Sequence, residues 1–435
     1  MPMPGSIDQP DRDIAVRLKA MGLPGERIPP VALSPWHRLG LMLAAFLTSL
    51  LLLVYVALIA LAGWAVYWLT STYGVRSSAA STSHALVISF ALPLCGCLLI
   101  LSLLKPLVAG PGTAPGPCVL DAREEPLMYA FVTGLASKVG APEPSRIAVD
   151  CNVNCGCVFR GGLIGLFRPD FDLLVGLPLV AGLRLDQMAG VLAHELGHAA
   201  LTTNIRAYRL IWSVNAYFSR VVCEPDEFDQ QILRRLETAG RGRRLALRAA
   251  QMLVQPARGL LRLLMVAASV VSCVFLRRME LEADRYQVRV TGTEAFISGV
   301  LEINLLAVAT QRALVELSRM KRRGRLVDNY PGFVVSLRSR YSTGFVSRLL
   351  AGLEQGKAGM FSVHPADSDR MAFARTEKSQ GMVTAALPAS ALCAHADALY
   401  RAATLVFYKQ EFGLSEEACE LVPCWQVLEG SETAP

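Results

Sequence analysis

The chain has 435 residues, 53% of them hydrophobic and 18% charged, with a formal net charge of +7. That balance excludes disorder over the whole length, which needs a charge-rich and apolar-poor composition, and the mild positive charge lacks the dense clustering of a nucleic-acid binder. Eleven cysteines are an odd number at low density, which excludes a small disulfide-stapled scaffold.

Residues 1–36 carry seven prolines and read as an N-terminal tail with one short amphipathic helix around Ile14–Met21. Two apolar runs follow. No residue from Leu39 to Gly74 is charged, and the run exceeds the roughly 20 residues needed to span a bilayer. Trp64, Tyr67 and Trp68 sit toward one end, as an interfacial aromatic belt would. The second run, Leu86–Leu104, has Pro93 at its middle, a kink that membrane helices tolerate. Residues 37–109 are therefore expected to form two transmembrane helices. Lys19, Arg27 and Arg38 precede them, Arg76 lies between and Lys105 follows, which places both the tail and the remainder of the chain in the cytoplasm.

Gly110–Pro117 is a linker by composition, opening a domain that runs from 110 to 435. Within it Leu127–Val139 has helical periodicity, Ile147–Phe159 and Asp172–Val180 have strand character, and most of the rest reads as helix. The expected class is mainly α with a small β-sheet (α+β). Leu210–Val222 and Gly259–Leu276 are apolar but interrupted by polar residues, and are expected as amphipathic or buried helices. The basic stretch Arg234–Arg248 suits either anionic lipid or a solvated face.

The chemistry lies in His194-Glu195-Leu196-Gly197-His198, inside the proline-free helical stretch Asp186–Leu201. Residues i and i+4 share a helix face, so both imidazoles can bind one ion while Glu195 reaches a metal-bound water. Only six histidines occur in the chain, which makes an accidental H-E-x-x-H rare. A peptidase site needs a third protein ligand and an open fourth position. A third histidine in the H-x-x-G-x-x-H pattern is excluded, because Leu201 and Asn204 occupy the required places. A glutamate on a second helix is the other solution. Glu280 and Asp284 in Glu280-Leu281-Glu282-Ala283-Asp284 share a face that Glu282 does not, so Glu280 can ligate while Asp284 accepts a hydrogen bond from a ligand imidazole. Alone, such an E-x-x-x-D is ordinarily a solvated face; the preceding H-E-x-x-H gives it meaning.

Together with Arg278-Met279 before Glu280, and Ser362-Val363-His364-Pro365 with Asp369-Arg370 after it, these motifs resemble the CAAX prenyl protease and HtpX-like family of membrane zinc metallopeptidases over residues 120–375. The resemblance implies a zincin-like domain of gluzincin type holding one Zn²⁺ through His194, His198 and Glu280, with Asp284 supporting. It implies an edge strand that binds the substrate backbone, matched here by Leu173–Leu177. Through the His-Pro element it puts His364 first as the second electrophile for the oxyanion, set against a structural histidine, with Tyr286 and Arg370 behind it. The prenyl-protease branch has many more spans than two, which argues against that activity. Arg184 stands where a Ser or Thr helix cap is usual.

A single crossing between His198 and Glu280 would put the ligands on opposite faces of the bilayer, so crossings there must be even in number, and none is the economical count. The expected activity is hydrolysis of polypeptides in or near the membrane, Glu195 being the general base, in protein quality control. Two other readings compete. An intramembrane zinc protease would need H-E-x-x-H inside an apolar span, yet Arg184, Asp186 and Arg206 flank this helix. A non-catalytic membrane scaffold has no need of Glu195. Cys151, Cys155 and Cys157 lack a partner pair at zinc-finger spacing and read as ordinary thiols.

Overall fold

The computed structural model describes residues 9–23, 27–29, 35–77, 118–159, 170–200, 240–359, 364–413 and 419–424, with single positions between 96 and 104, between 207 and 235, and at 426. Most of the second apolar run, the linker 110–117 and Ser362-Val363 lie outside these residues. In chain order the elements are α1 (Gln9–Ala20), α2 (Pro35–Ser77), β1 (Cys118–Val119), α3 (Pro126–Val139), β2 (Arg146–Asp150), β3 (Cys155–Phe159), β4 (Phe171–Gly176), α4 (Leu177–Gly182), α5 (Leu185–Ala200), α6 (Arg241–Thr291), α7 (Thr293–Lys321), β5 (Arg325–Val327), α8 (Tyr330–Ser339), α9 (Thr343–Gln355), α10 (Asp367–Glu377), α11 (Ala396–Phe412) and β6 (Glu420–Val422). The fold is mainly helical with a small mixed sheet, as the residue patterns require. The chain divides into two compact units, one of Met1–Leu33, Pro115–Ile205 and Leu276–Pro435, the other of Ser34–Ala114 and Arg206–Phe275.

In the first unit the sheet order is β1-β2-β4-β3, with β2 and β4 parallel and β3 antiparallel to β4. Phe171, Leu173 and Val175 alternate onto the buried face of β4, and Ile147 of β2 lies in register with Leu173. The expected strand 147–159 is two strands broken at 151–154, and β4 gives way after Gly176 to α4, where Pro178 cannot continue a ladder. The expectation that Leu173–Leu177 is the edge strand is overturned. β4 is paired on both sides, because the turn 151–154 swings β3 round onto its outer flank, and β3 is the strand at the edge that packs against α5. β4, with Phe171, Leu173 and Val175 buried, sits inside the sheet, while Cys155-Gly156-Cys157 takes the rim.

α5 is apolar on nearly every side, the pattern of a helix enclosed by protein. Each of its residues except Glu195 is buried. It starts at Arg184 without a Ser or Thr: the Arg184 backbone N–H donates to Gln187 Oε1 at 3.0 Å, one half of a capping box, and the Arg184 guanidinium pairs with Asp186 at 2.6 Å. α3 packs on α5, and α1 packs on α3. Ile28 N–H donates to Lys138 O at 3.0 Å, and Met21, Leu23 and Ile28 are buried. The segment before the first span is thus tied to the sheet-bearing unit.

The second unit is built round an apolar cluster of Tyr55, Ile59, Leu103, Val214, Phe218, Leu261, Leu264 and Ala268. Two polar pairs lie within it: Tyr55 OH donates to Leu103 O at 2.5 Å and Asn215 Nδ2 to Ser272 Oγ at 3.1 Å. The outward positions are apolar too, among them Phe46, Leu53, Leu61 and Trp64 on α2 and Leu263, Val270 and Val274 on α6. Helices apolar both inward and outward suit a lipid surround. Pro35–Thr72 and Arg258–Thr291 are each long and apolar enough to cross a membrane. Thr293–Lys321 meets the same measure, yet α7 packs on α8 and α10 in the first unit. The segments 210–222 and 259–276, expected as amphipathic or buried, therefore share one apolar core with the first span; the apolar stretch of α6 ends at Leu276, before Arg277 and Arg278.

Candidate active site

Small residues let α5 and α6 approach closely. A Cβ at Gly190 would lie 3.0 Å from the Thr291 side chain, and one at Gly197 would lie 3.1 Å from Tyr286. Those positions are two helical turns apart, on the flank of α5 that also carries His194 toward α6. The same contact buries Tyr286, which packs against Gly197 instead of taking the oxyanion-binding place considered for it.

Across this seam the predicted ligands meet. His194 Nε2 lies 3.2 Å from His198 Nε2 and 3.6 Å from Glu280 Oε2, and His198 Nε2 lies 3.4 Å from Glu280 Oε1. Donor atoms about 2.0–2.2 Å from a tetrahedral zinc stand roughly 3.3–3.6 Å apart, so the three fit one ion. All three are buried, and they form the one group among the described residues that can hold a metal. Glu282 faces elsewhere, paired with Arg278 at 2.9 Å and with Arg285.

Asp284, one turn beyond Glu280, is fully buried, with Oδ1 at 2.9 Å from His194 Nδ1. Its carboxylate is gripped by Arg370 of α10 through two hydrogen bonds of 2.8 and 2.7 Å. Arg370 is thus an ion-pair partner within the fold and not the oxyanion group considered for it. The Asp284–His194 contact turns Nε2 toward the ion position. Replacing Asp284 by Asn removes the charge that holds both neighbours; metal affinity should fall about 10- to 100-fold, measured by competition with a chelating dye.

The electrostatics favour a cation. Burial works to lower the His194 pKa, but Asp284 and Glu280 outweigh it and carry the ring up to about 10. Burial holds His198 down to about 4, a neutral imidazole ready to ligate. Burial opposes the Glu280 charge, yet the surrounding histidines keep its carboxyl well below the usual range. Asp284 likewise falls to about 2, Arg370 overcoming its burial. The field that fixes a proton on His194 suits a metal ion between the three donor atoms.

Glu195 is the residue of α5 left half-buried, and it opens on a cavity of about 260 Å³ that also touches His194, Glu280 and His364. Burial pushes its carboxyl up to about 7; the His194 charge and the Cys157 backbone N–H pull it down, and Glu280 pushes it up. A poised carboxylate facing a cleft is the property of a general base. Val153, Asn154 and Cys155, at the start of edge strand β3, form one rim. A glycine makes that rim possible: a Cβ at Gly176 would stand 2.0 Å from Asn152 O, and Gly176 N–H donates to Asn154 O at 2.7 Å. The opposite wall comes from α7, through Val300, Ile303 and Asn304. No motif in the sequence marks α7 as part of the site.

His364 Nδ1 lies 2.9 Å from Glu280 Oε2, and that contact, foremost among its surroundings, raises the pKa of the ring. Its side chain is 74% exposed, so it is not a core histidine. Cys151, Cys155 and Cys157 form no disulfide, and Cys157 Sγ donates to Glu195 O at 3.4 Å.

An H-E-x-x-H helix and a glutamate helix around one cation seat, beside a sheet edge, define a metallopeptidase. Residues 122–378 match peptidase family M48, more than half of the chain, and the chain belongs to that family of CAAX-protease and HtpX-like zinc metallopeptidases. No curated protein and no solved structure matches it.

Proposed function

We propose that the chain is a membrane-anchored, zinc-dependent endopeptidase that hydrolyses membrane or membrane-proximal polypeptides in protein quality control. One observation carries this reading: three buried donor atoms at zinc-ligand spacing stand next to a half-buried carboxylate on an open cleft. A zinc ion bound there supplies a Lewis acid for the scissile carbonyl and acidifies its bound water. Glu195 takes the proton of the attacking water on its carboxylate and passes it to the leaving amine nitrogen. His364, held by Glu280, sets a positive charge at the cleft mouth where the oxyanion develops. The substrate backbone lies along β3, whose outer side offers main-chain donors and acceptors to an extended peptide.

The membrane topology follows from parity. α1 lies against α3, so the tail and the sheet share one face of the bilayer and an even number of spans separates them. The ligands on α5 and α6 meet, so the intervening crossings are also even, and the core shared by 214, 218, 261, 264 and 268 with the first span favours a hairpin of two over none. The charge bias of the first two spans puts the catalytic unit in the cytoplasm. The hairpin carries the basic stretch 234–248 to the far face against that bias, so impermeant thiol labelling of single cysteines placed at 240 and 357 decides the orientation.

The activity itself is tested on the full-length protein in detergent. With one equivalent of zinc it should cut an unfolded protein internally into fragments, lose cleavage on dialysis against chelator and regain it with zinc. Cleavage that survives complete metal removal would dismiss the proposal.

A further inference from the structure

The positive charge of the chain is concentrated in one stretch. Residues 312–357 hold ten lysines and arginines against Glu316, Asp328 and Glu354, an excess as large as the +7 of the whole chain. All three carboxylates are engaged: Glu316 with Arg319 at 3.1 Å, Asp328 with Arg401 at 3.5 Å and Glu354 with Arg375 at 2.5 Å. The same stretch contains α9, on which Phe345, Val346, Leu349, Leu350 and Leu353 recur at helical spacing along one face. α9 packs on α7 and α10, yet all five stay half-buried and no residue of the helix is fully covered. It is held at both ends nonetheless. Ser342 Oγ accepts from Phe345 N–H at 3.2 Å, and Gly356 O accepts from Ser368 Oγ at 2.6 Å. On α7, Val308, Arg312 and Val315 form one exposed stripe. Arg312 and Arg338 lie near enough to Tyr341, just before α9, for their charges to act on its phenol.

What covers this surface is indicated at the far end of α9. Arg277 Nη2 donates to Gly359 O at 2.6 Å, just past the helix. Arg277 is also the first charged residue after the apolar stretch of α6, the place where a spanning helix leaves the hydrocarbon. The half-covered face of α9 is thus continuous with the level of the bilayer surface, and Arg348 and Lys357 are exposed along it. Apolar side chains flanked by cations, beside a membrane exit, match an anionic leaflet, which attracts the charges and covers the hydrocarbon. We propose that α9 and the Val308–Val315 stripe of α7 dock the catalytic unit onto an anionic lipid surface beside its own anchor. Asn304, on the cleft wall, heads the same α7 stripe, so docking sets the cleft next to the leaflet. The inference rests on the membrane-anchored reading above and goes beyond it, and it is independent of the chemistry assigned to Glu195.

The test uses full-length protein, one chain per lipid nanodisc, with a fluorescent amino acid encoded in place of Leu350 and phospholipids brominated just below the headgroup. In discs containing phosphatidylglycerol the emission should be quenched, and in discs of phosphatidylcholine alone, or at high salt, the quenching should largely disappear. Arg312→Glu combined with Arg348→Glu removes two cations and adds two anions. At about fivefold per charge near an anionic surface, the docked-to-undocked ratio should fall by well over tenfold. Arg123→Glu combined with Arg146→Glu makes the same change in net charge on exposed residues beside β1 and in β2, and should stay quenched. Bound zinc, measured on each variant in detergent, reports that the fold is intact. Emission that is unquenched in anionic discs, or quenched alike in neutral discs and in the Arg312/Arg348 variant, overturns the docking and leaves the anchored peptidase standing. Equal loss of quenching in the Arg123/Arg146 variant overturns the assignment to this surface. A chain that stays soluble without detergent and leaves the discs empty overturns the docking and the membrane anchor together.

Discussion

Glu195→Gln should abolish cleavage while leaving the metal in place. The amide keeps the shape of the side chain but cannot take a proton from water, so a loss of about 10²–10⁴-fold in kcat is expected, the usual contribution of a general base. Three features favour so clean a separation. Glu195 supplies none of the three donor atoms that cluster at the cation seat. It is the half-buried exception on an otherwise buried helix, so its replacement disturbs little packing. Its carboxyl is raised to about 7, chiefly by burial, and a neutral amide is tolerated where a buried charge is costly. Stoichiometric zinc with no cleavage is the expected pair of results. A variant as active as the parent would remove Glu195 from the chemistry and revive the scaffold reading.

Glu280→Ala and His194→Ala should each release the ion. Two remaining donors cannot complete a tetrahedral site, and the loss of Glu280 also leaves His364 Nδ1 without its contact at 2.9 Å. After dialysis, zinc per chain should fall from near one to near zero in both variants. Glu282→Gln is the control, because Glu282 turns away toward Arg278 and Arg285 and should keep the ion. Equal loss in all three would point to collapse of α6 in place of ligand removal, and retention in Glu280→Ala would assign the third ligand elsewhere.

The parts of the site that were legible in the sequence are those set by helical geometry. Spacing alone places His194 with His198 and Glu280 with Asp284, and the structure sets the two pairs against each other across a glycine-lined seam. Gly190 and Gly197 carried that information as well, since glycine at a two-turn interval marks close helix approach, though Gly197 fills only a variable position of H-E-x-x-H and Gly190 lies outside it. Sheet order was not legible. Leu173 and Val175 look like strand whether they lie inside the sheet or at its rim, and only the non-local pairing with Ile147 and with Cys157 decides between them. The cleft wall on α7 was equally silent, because Val300, Ile303 and Asn304 are ordinary helix residues until the fold aims them at the ligands. The apolar stretches at 210–222 and 259–276 are marginal as isolated segments. Packing against Tyr55 and Ile59 shows that they belong to one apolar core, a property of the assembly that no single window contains.

X-ray absorption at the zinc edge, on the full-length protein loaded with one equivalent, reads the donor set around the ion itself. Two imidazole nitrogens and oxygen near 2.0–2.2 Å in a four-coordinate shell are the result that His194, His198 and Glu280 demand. A sulfur shell near 2.3 Å would move the ion to the cysteines around 151–157 and contradict the account at its centre.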